Sequence, residues 1–97
     1  MYARVTILQL QPGKTDELIH IFQDSVVPAL QQQAGFVSMT LLTDASTDKV
    51  MSVGLWQTEA DLLASERSGF YQEQLAKAKV LMAAPPVRET YQVSVQV

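Results

Sequence analysis

Hydrophobic positions along the chain alternate between a period of two and a period near three and a half, and the switches divide it into six elements. Residues 3–10, ARVTILQL, are rich in β-branched and aliphatic side chains and stop at the turn signal Gln11-Pro12-Gly13, which predicts a first strand. Leu18, Phe22, Val26 and Ala29 then recur at helical spacing. Thr15 can cap that helix, and Asp16 and Glu17 suit its positive end. Pro28 removes a hydrogen bond and clashes one turn back, so the helix bends near Val27 before Gly35 closes it. Residues 36–43, FVSMTLLT, alternate as a second strand, with Val37, Met39 and Leu41 on one face. After the polar loop Asp44 to Asp48, residues 50–56, VMSVGLW, form a third strand, and so short a loop makes the pair an antiparallel hairpin. Met51, Val53 and Leu55 face one way; Val50, Ser52, Gly54 and Trp56 face the other.

Thr58 opens a second helix, with acids in its first turn. Its apolar stripe is Leu63, Phe70, Leu75, Ala78 and Met82, broken into two pieces near Ser68-Gly69, and Pro85-Pro86 ends it. Residues 90–97 alternate cleanly, Tyr91, Val93, Val95 and Val97 against Thr90, Gln92, Ser94 and Gln96, which predicts a fourth, half-buried strand. The order β-α-β-β-α-β defines an α+β, ferredoxin-like fold: a four-stranded antiparallel sheet with helices on one face, in a single domain spanning 1–97.

Both faces of that sheet are greasy. One set (Val5, Ile7, Val37, Met39, Leu41, Met51, Val53, Leu55, Val93, Val95) calls for complete burial, worth about 1.5–3 kcal/mol per large side chain. The other mixes Thr6, Ser38, Thr40, Ser52 and Gln92 with Leu8, Leu10, Phe36, Leu42 and Trp56, too apolar for open water over a whole sheet. Helices cover one face only. Two sheets packed face to face about a twofold axis would cover the other, so the pattern predicts a homodimer.

Composition narrows the chemistry. With 97 residues, 47% of them hydrophobic, the chain can build one core. It has no cysteine, which removes disulfides, thiolate metal sites and cysteine nucleophiles and fits a reducing cytoplasm. The net charge of −3 comes with scattered cations that form no phosphate-binding patch, so nucleic acid is not an expected partner. No apolar run approaches membrane-spanning length, so the expected protein is soluble and not a membrane partner.

Few residues offer reactive groups. His20, the single histidine, lies opposite the stripe of the first helix and therefore in water, a poor start for a base, a triad or a metal ligand. Asp44 and Asp48 lack the glycine and terminal glutamate of a calcium loop and read as turn residues, so no metal is expected. The glycines at 13, 35, 54 and 69 are isolated and make no phosphate cradle, so no nucleotide cofactor is expected either. Trp56 ends its strand where an indole commonly seals a core edge. Ser52 and Gly54, small and on the same face, leave space beside it in which an aromatic ligand could stack.

Two stretches carry a family resemblance: PGKTDELIHIFQDSVVPALQQQAGFVSMTLLTDAST and VMSVGLWQTEADLLASERSGFYQEQL. Their Pro-Gly turn, Gly-Phe strand start, strand-end tryptophan, Thr-x-x-Asp cap and Ser-x-Phe restart resemble, in order and spacing, the antibiotic biosynthesis monooxygenase (ABM) family of dimeric α+β barrels. The resemblance implies a homodimer, a pocket between helices and sheet in each subunit, and, in catalytic members, cofactor-independent oxygenation of aromatic or quinol substrates by dioxygen. It makes Trp56 and Ser52 candidate catalytic residues, and Phe22, Gly54, Leu63 and Phe70 candidates for the substrate pocket. The match is incomplete: Ser52 stands where those oxygenases carry an asparagine, and Leu62 where they carry a tyrosine. In the haem-degrading branch a tryptophan and a histidine would fall near Ser65 and Leu75, so haem is not an expected ligand. The family precedent turns the Trp56 face toward the helices, whereas patterning alone turns the other face there. Two functions follow from these residues: an ABM-type monooxygenase of small aromatic or quinone-like molecules, or a non-catalytic dimer of the same fold that binds a small apolar ligand or serves as an assembly module.

Overall fold

The computed structural model describes residues 1–97 and places four strands in the antiparallel order β2-β3-β1-β4. The strands are β1 (Tyr2–Gln9), β2 (Phe36–Asp44), β3 (Lys49–Trp56) and β4 (Val87–Gln92). Helices α1 (Thr15–Ile21) and α2 (Val27–Leu30) connect β1 to β2; α3 (Glu59–Arg67) and α4 (Phe70–Ala78) connect β3 to β4. The ferredoxin-like element order is as the patterning predicts.

Between α1 and α2 the backbone widens into a π-helical turn, Phe22–Val26, immediately before Pro28. The irregularity falls just ahead of Val27, where the sequence predicts a bend. Widening the turn absorbs both the missing proline N–H and the clash one turn back. The Thr15 cap is replaced: Lys14 occupies the cap position with no side-chain bond, and the Thr15 hydroxyl donates to Asp48 Oδ1 at 2.8 Å. Asp48 Oδ2 accepts from the Gly13 N–H at 3.2 Å, so one carboxylate ties the β2–β3 loop to the Pro-Gly turn. At α3 the predicted cap forms, with Thr58 Oγ1 accepting from the Asp61 N–H at 3.1 Å.

The fourth strand lies three residues earlier than expected and stops at Gln92. β1 supplies the reason. Val87 pairs with Ile7 and Gln92 with Tyr2, so β1 has run out before the well-alternating residues 93–97 arrive. Only the Val93 N–H reaches across, to Met1 O at 2.9 Å.

The helices cover the face carrying Arg4, Thr6, Leu8, Val50, Ser52, Gly54 and Trp56, opposite to the face that apolar richness selects. One core cluster joins Leu8, Leu10, Leu18, Val50, Ala78 and Leu81; a second joins Val26, Leu30, Trp56 and Leu62. A bulge between Phe36 and Ser38 then breaks the alternation of β2. It puts Phe36 opposite Trp56 and Met39 opposite Gly54, both on the helix side, and sends Ser38, Thr40 and Leu42 to the open face. Val5, Ile7, Met51, Val53 and Leu55, expected to be fully buried, are half-buried on that open face, with Leu42, Val87 and Tyr91 exposed around them.

Candidate functional site

Between the sheet and its helices lies a cavity of about 50 Å³. β3 contributes Ser52, Gly54 and Trp56, alternate residues that share a face because strand side chains alternate. β1 contributes Arg4, Thr6 and Leu8; the π-helical turn contributes Phe22 and Val26; α4 contributes Phe70, Tyr71, Gln74 and Leu75. Leu30, Met39 and Ala78 complete the wall. Five of the six sequence candidates, Trp56, Ser52, Gly54, Phe22 and Phe70, therefore line one space. Leu63 does not: it packs, half-buried, against the cluster of Val26, Leu30, Trp56 and Leu62. His20 lies on the surface, its Nδ1 2.8 Å from Asp16 O.

Trp56 is wholly buried, and its indole N–H has no acceptor. An orphaned buried donor of this kind costs about 1–3 kcal/mol and calls for an explanation. Its ring meets Phe36 edge to face, centroids 5.5 Å apart, which fixes the plane of the indole. Gly54 gives the N–H edge room: a Cβ built at Gly54 would stand 3.7 Å from Nε1. Leu62 is wholly buried core.

The polar wall was not singled out from sequence. Arg4, only 6% exposed, stacks its guanidinium 4.0 Å from the Tyr71 ring centroid and 5.5 Å from that of Trp56. Its Nη1 donates to Ser65 Oγ at 2.8 Å and lies 3.4 Å from Glu66 Oε2. Ser65 is held in turn by donating to Leu62 O at 2.6 Å. Burial pulls the Arg4 guanidinium below its ordinary pKa, against the opposing pull of Tyr71 and Glu66. Tyr71 brings its hydroxyl within 2.8 Å of Thr6 Oγ1, so these two groups satisfy each other. An arginine in alternation with Thr6 and Leu8 on a first strand, and a tyrosine after a helix break, were the available signals. Neither says that the two side chains stack.

Other reactive groups stay outside the site. Asp44 accepts from the Ser46 N–H and hydroxyl at 3.0 and 2.6 Å, bonds that hold its carboxyl below the usual range, and it acts as a turn residue. No group of three His, Cys, Asp or Glu side chains is gathered to hold a metal. No helix is long and apolar enough to cross a membrane.

An antiparallel ferredoxin-like sheet with a small aromatic, guanidinium-bearing cavity under its helices defines a small α+β protein. The chain belongs to the antibiotic biosynthesis monooxygenase family, whose model matches residues 1–77. It is 35% identical over 65 residues to an uncharacterized protein of Mycobacterium tuberculosis (strain ATCC 25618 / H37Rv), a match covering 67% of this chain and 28% of that protein. A second uncharacterized protein of the same strain is 34% identical over 65 residues, covering 67% of this chain and 29% of its own length. The chain thus spans less than a third of the length of these relatives. Among solved structures it superposes on SnoaB, a cofactor-independent oxygenase from Streptomyces nogalater, with TM-score 0.80 and 14% identity, covering 99% of this chain and 95% of that one. A monooxygenase from the gene ActVA-Orf6 of Streptomyces coelicolor, in complex with nanaomycin D, gives TM-score 0.75 and 18% identity, covering 99% and 89%. A Nitrosomonas europaea protein of unknown function, NE2512, gives 0.80 and 19%, covering 99% and 91%. At these identities the likeness is one of fold.

Proposed function

We propose that the chain is a cofactor-independent monooxygenase of the ABM type, acting on a small aromatic or quinone-like substrate in the cavity beside Trp56. The observation that carries this reading is the unpaired, wholly buried indole N–H on the wall of that cavity. A donor held without an acceptor is set for one that arrives with a ligand: a ring oxygen whose negative charge grows as the ring gives electrons to dioxygen. Ten of the fifteen lining residues are hydrophobic, so the reacting pair is kept dry. The balanced reaction turns a ring CH2, conjugated to rings that carry electron-releasing oxygens, into a ring C=O. One oxygen atom becomes the carbonyl oxygen on that carbon and the other leaves as water with the two hydrogens, every electron coming from the substrate. Trp56 and Ser52 act as donors to the ring oxygen, and Phe22, Gly54 and Phe70 shape the slot. No metal or organic cofactor takes part.

A polycyclic ring needs several times the volume of this cavity, since sites for such ligands run to about 300 Å³ and more. Entry therefore moves the helical wall, and the π-helical turn carrying Phe22 and Val26 is the place where that wall departs from regular helix geometry.

A second copy of the chain covers the open face of the sheet, seated on Val5, Ile7, Met51, Val53 and Leu55. The functional assembly is then a homodimer with one cavity per subunit. The second functional reading, a non-catalytic dimer that binds a small apolar ligand or serves as an assembly module, is favoured by two replacements: Ser52 and Leu62 stand where the family resemblance implies an asparagine and a tyrosine.

Oxygen uptake separates the two. Incubation with a panel of anthrones and hydroquinones in air gives consumption above buffer for the enzyme, and Trp56→Phe lowers that rate by about a hundredfold, the cost of losing one oxyanion donor. Uptake no faster than in buffer, unchanged by Trp56→Phe, selects the binding module.

A further inference from the structure

Arg4 is the single charged residue on the cavity wall, and its counter-ion is shared. Glu66 places Oε2 3.4 Å from Arg4 Nη1 and Oε1 3.4 Å from Arg88 Nη1. Two guanidiniums thus draw on one carboxylate, leaving a charge of plus one in the cluster. Arg88 is half exposed and screened by water; Arg4 is buried and is not. Both polar contacts of Arg4, to Ser65 and Glu66, run through Nη1. The stacking on Tyr71 uses the face of the guanidinium and leaves its remaining N–H edges unspent. Trp56 adds a second donor that has no acceptor. No acid lines the cavity to oppose either.

We infer that Arg4 is a specificity-determining residue that selects ligands carrying an ionised ring oxygen, phenolates or enolates, over neutral rings of the same shape. This rests on the aromatic-ligand reading of the cavity and adds the charge state of the ligand to it. Arg88 and Glu66 set the strength of that selection from outside the cavity: Arg88 draws Glu66 away from Arg4, and Glu66 offsets the charge that Arg4 presents. The two residues therefore have opposite effects, which a merely structural cluster would not give.

The test uses two probes of similar shape, 4-nitrophenol, which ionises and changes absorbance on doing so, and nitrobenzene, which cannot. Bound 4-nitrophenol is expected to titrate at least about one unit below its free value, as an acid beside a buried cation does. It is also expected to bind about tenfold more tightly than nitrobenzene at a pH where it is ionised, a one-unit preference. Glu66→Gln strengthens phenolate binding, Arg88→Gln weakens it, and neither changes nitrobenzene binding. Arg4→Gln abolishes the preference; should that variant fail to fold, the opposed effects of the Glu66 and Arg88 variants decide the question. Equal binding of both probes, with the phenol titrating at its free value, overturns the charge selection and leaves the aromatic cavity standing. So do Glu66 and Arg88 variants that move affinity in the same direction. If neither probe binds, the aromatic-ligand reading fails and this inference fails with it.

Discussion

Gly54 and Gly35 show how differently one residue type can act in this chain. At Gly54 an added Cβ meets only ordinary contacts, 3.7 Å from Trp56 Nε1 and 3.9 Å from Arg4 O. Gly54→Ala is therefore expected to hold stability within about 1 kcal/mol while filling the space beside the indole and ending ligand binding, as denaturant titration and calorimetry would report. Gly35 has φ of +77°, and a Cβ there would land on the Asp61 carboxylate. Gly35→Ala is expected to cost more than about 2 kcal/mol, combining strain with a clash against the start of α3. Of the site itself, Trp56, Ser52 and Gly54 were legible because strand alternation puts them on one face. Arg4 and Tyr71 were not, because nothing local to either residue encodes their 4.0 Å stacking.

At the scale of elements, three strands and the helical connections follow from periodicity, and the departures have local physical causes. The bulge after Phe36 swaps the facing of β2, so Met39 and Leu41 point toward the helices instead of lying beside Val53. A bulge adds one residue without a distinctive sequence, so alternation alone assigns the wrong face beyond it. The fourth strand is set by where β1 ends, a partner's property and not its own. α3 depends on the cap at Thr58, whose hydroxyl accepts from the Asp61 N–H and donates to the Asp61 carboxylate at 2.9 Å. Thr58→Ala is expected to lower stability by about 1 kcal/mol in chemical denaturation. Because α3 carries Ser65 and Glu66, the same change should loosen Arg4.

For the whole molecule, the decisive feature is that helices cover the more polar of the two sheet faces. Arg4, Thr6 and Ser52 would be poor core residues under a close-packed helix layer; around a cavity they are useful. The greasier face, with Val5, Ile7, Met51, Val53 and Leu55, is left open, and it is the face on which the proposed dimer pairs. Val53→Asp places a charge at its centre and is expected to convert a dimer into a monomer in sedimentation equilibrium, with the helix-side cavity unchanged. A parent protein that sediments as a 10.7 kDa particle at micromolar concentration would contradict the paired assembly. The fold was legible from element order. The facing of the sheet was not, since burial by a partner and burial by helices leave the same pattern in the sequence.

The most direct measurement follows the indole N–H of the single tryptophan by nitrogen–proton NMR, where it gives one resolved signal. A hydroxylated aromatic ligand is expected to move this signal downfield in a saturable way as the orphaned donor gains an acceptor, and Gly54→Ala to remove the response. A ligand that binds while the Trp56 signal stays in place would contradict the assignment of this cavity as the functional site.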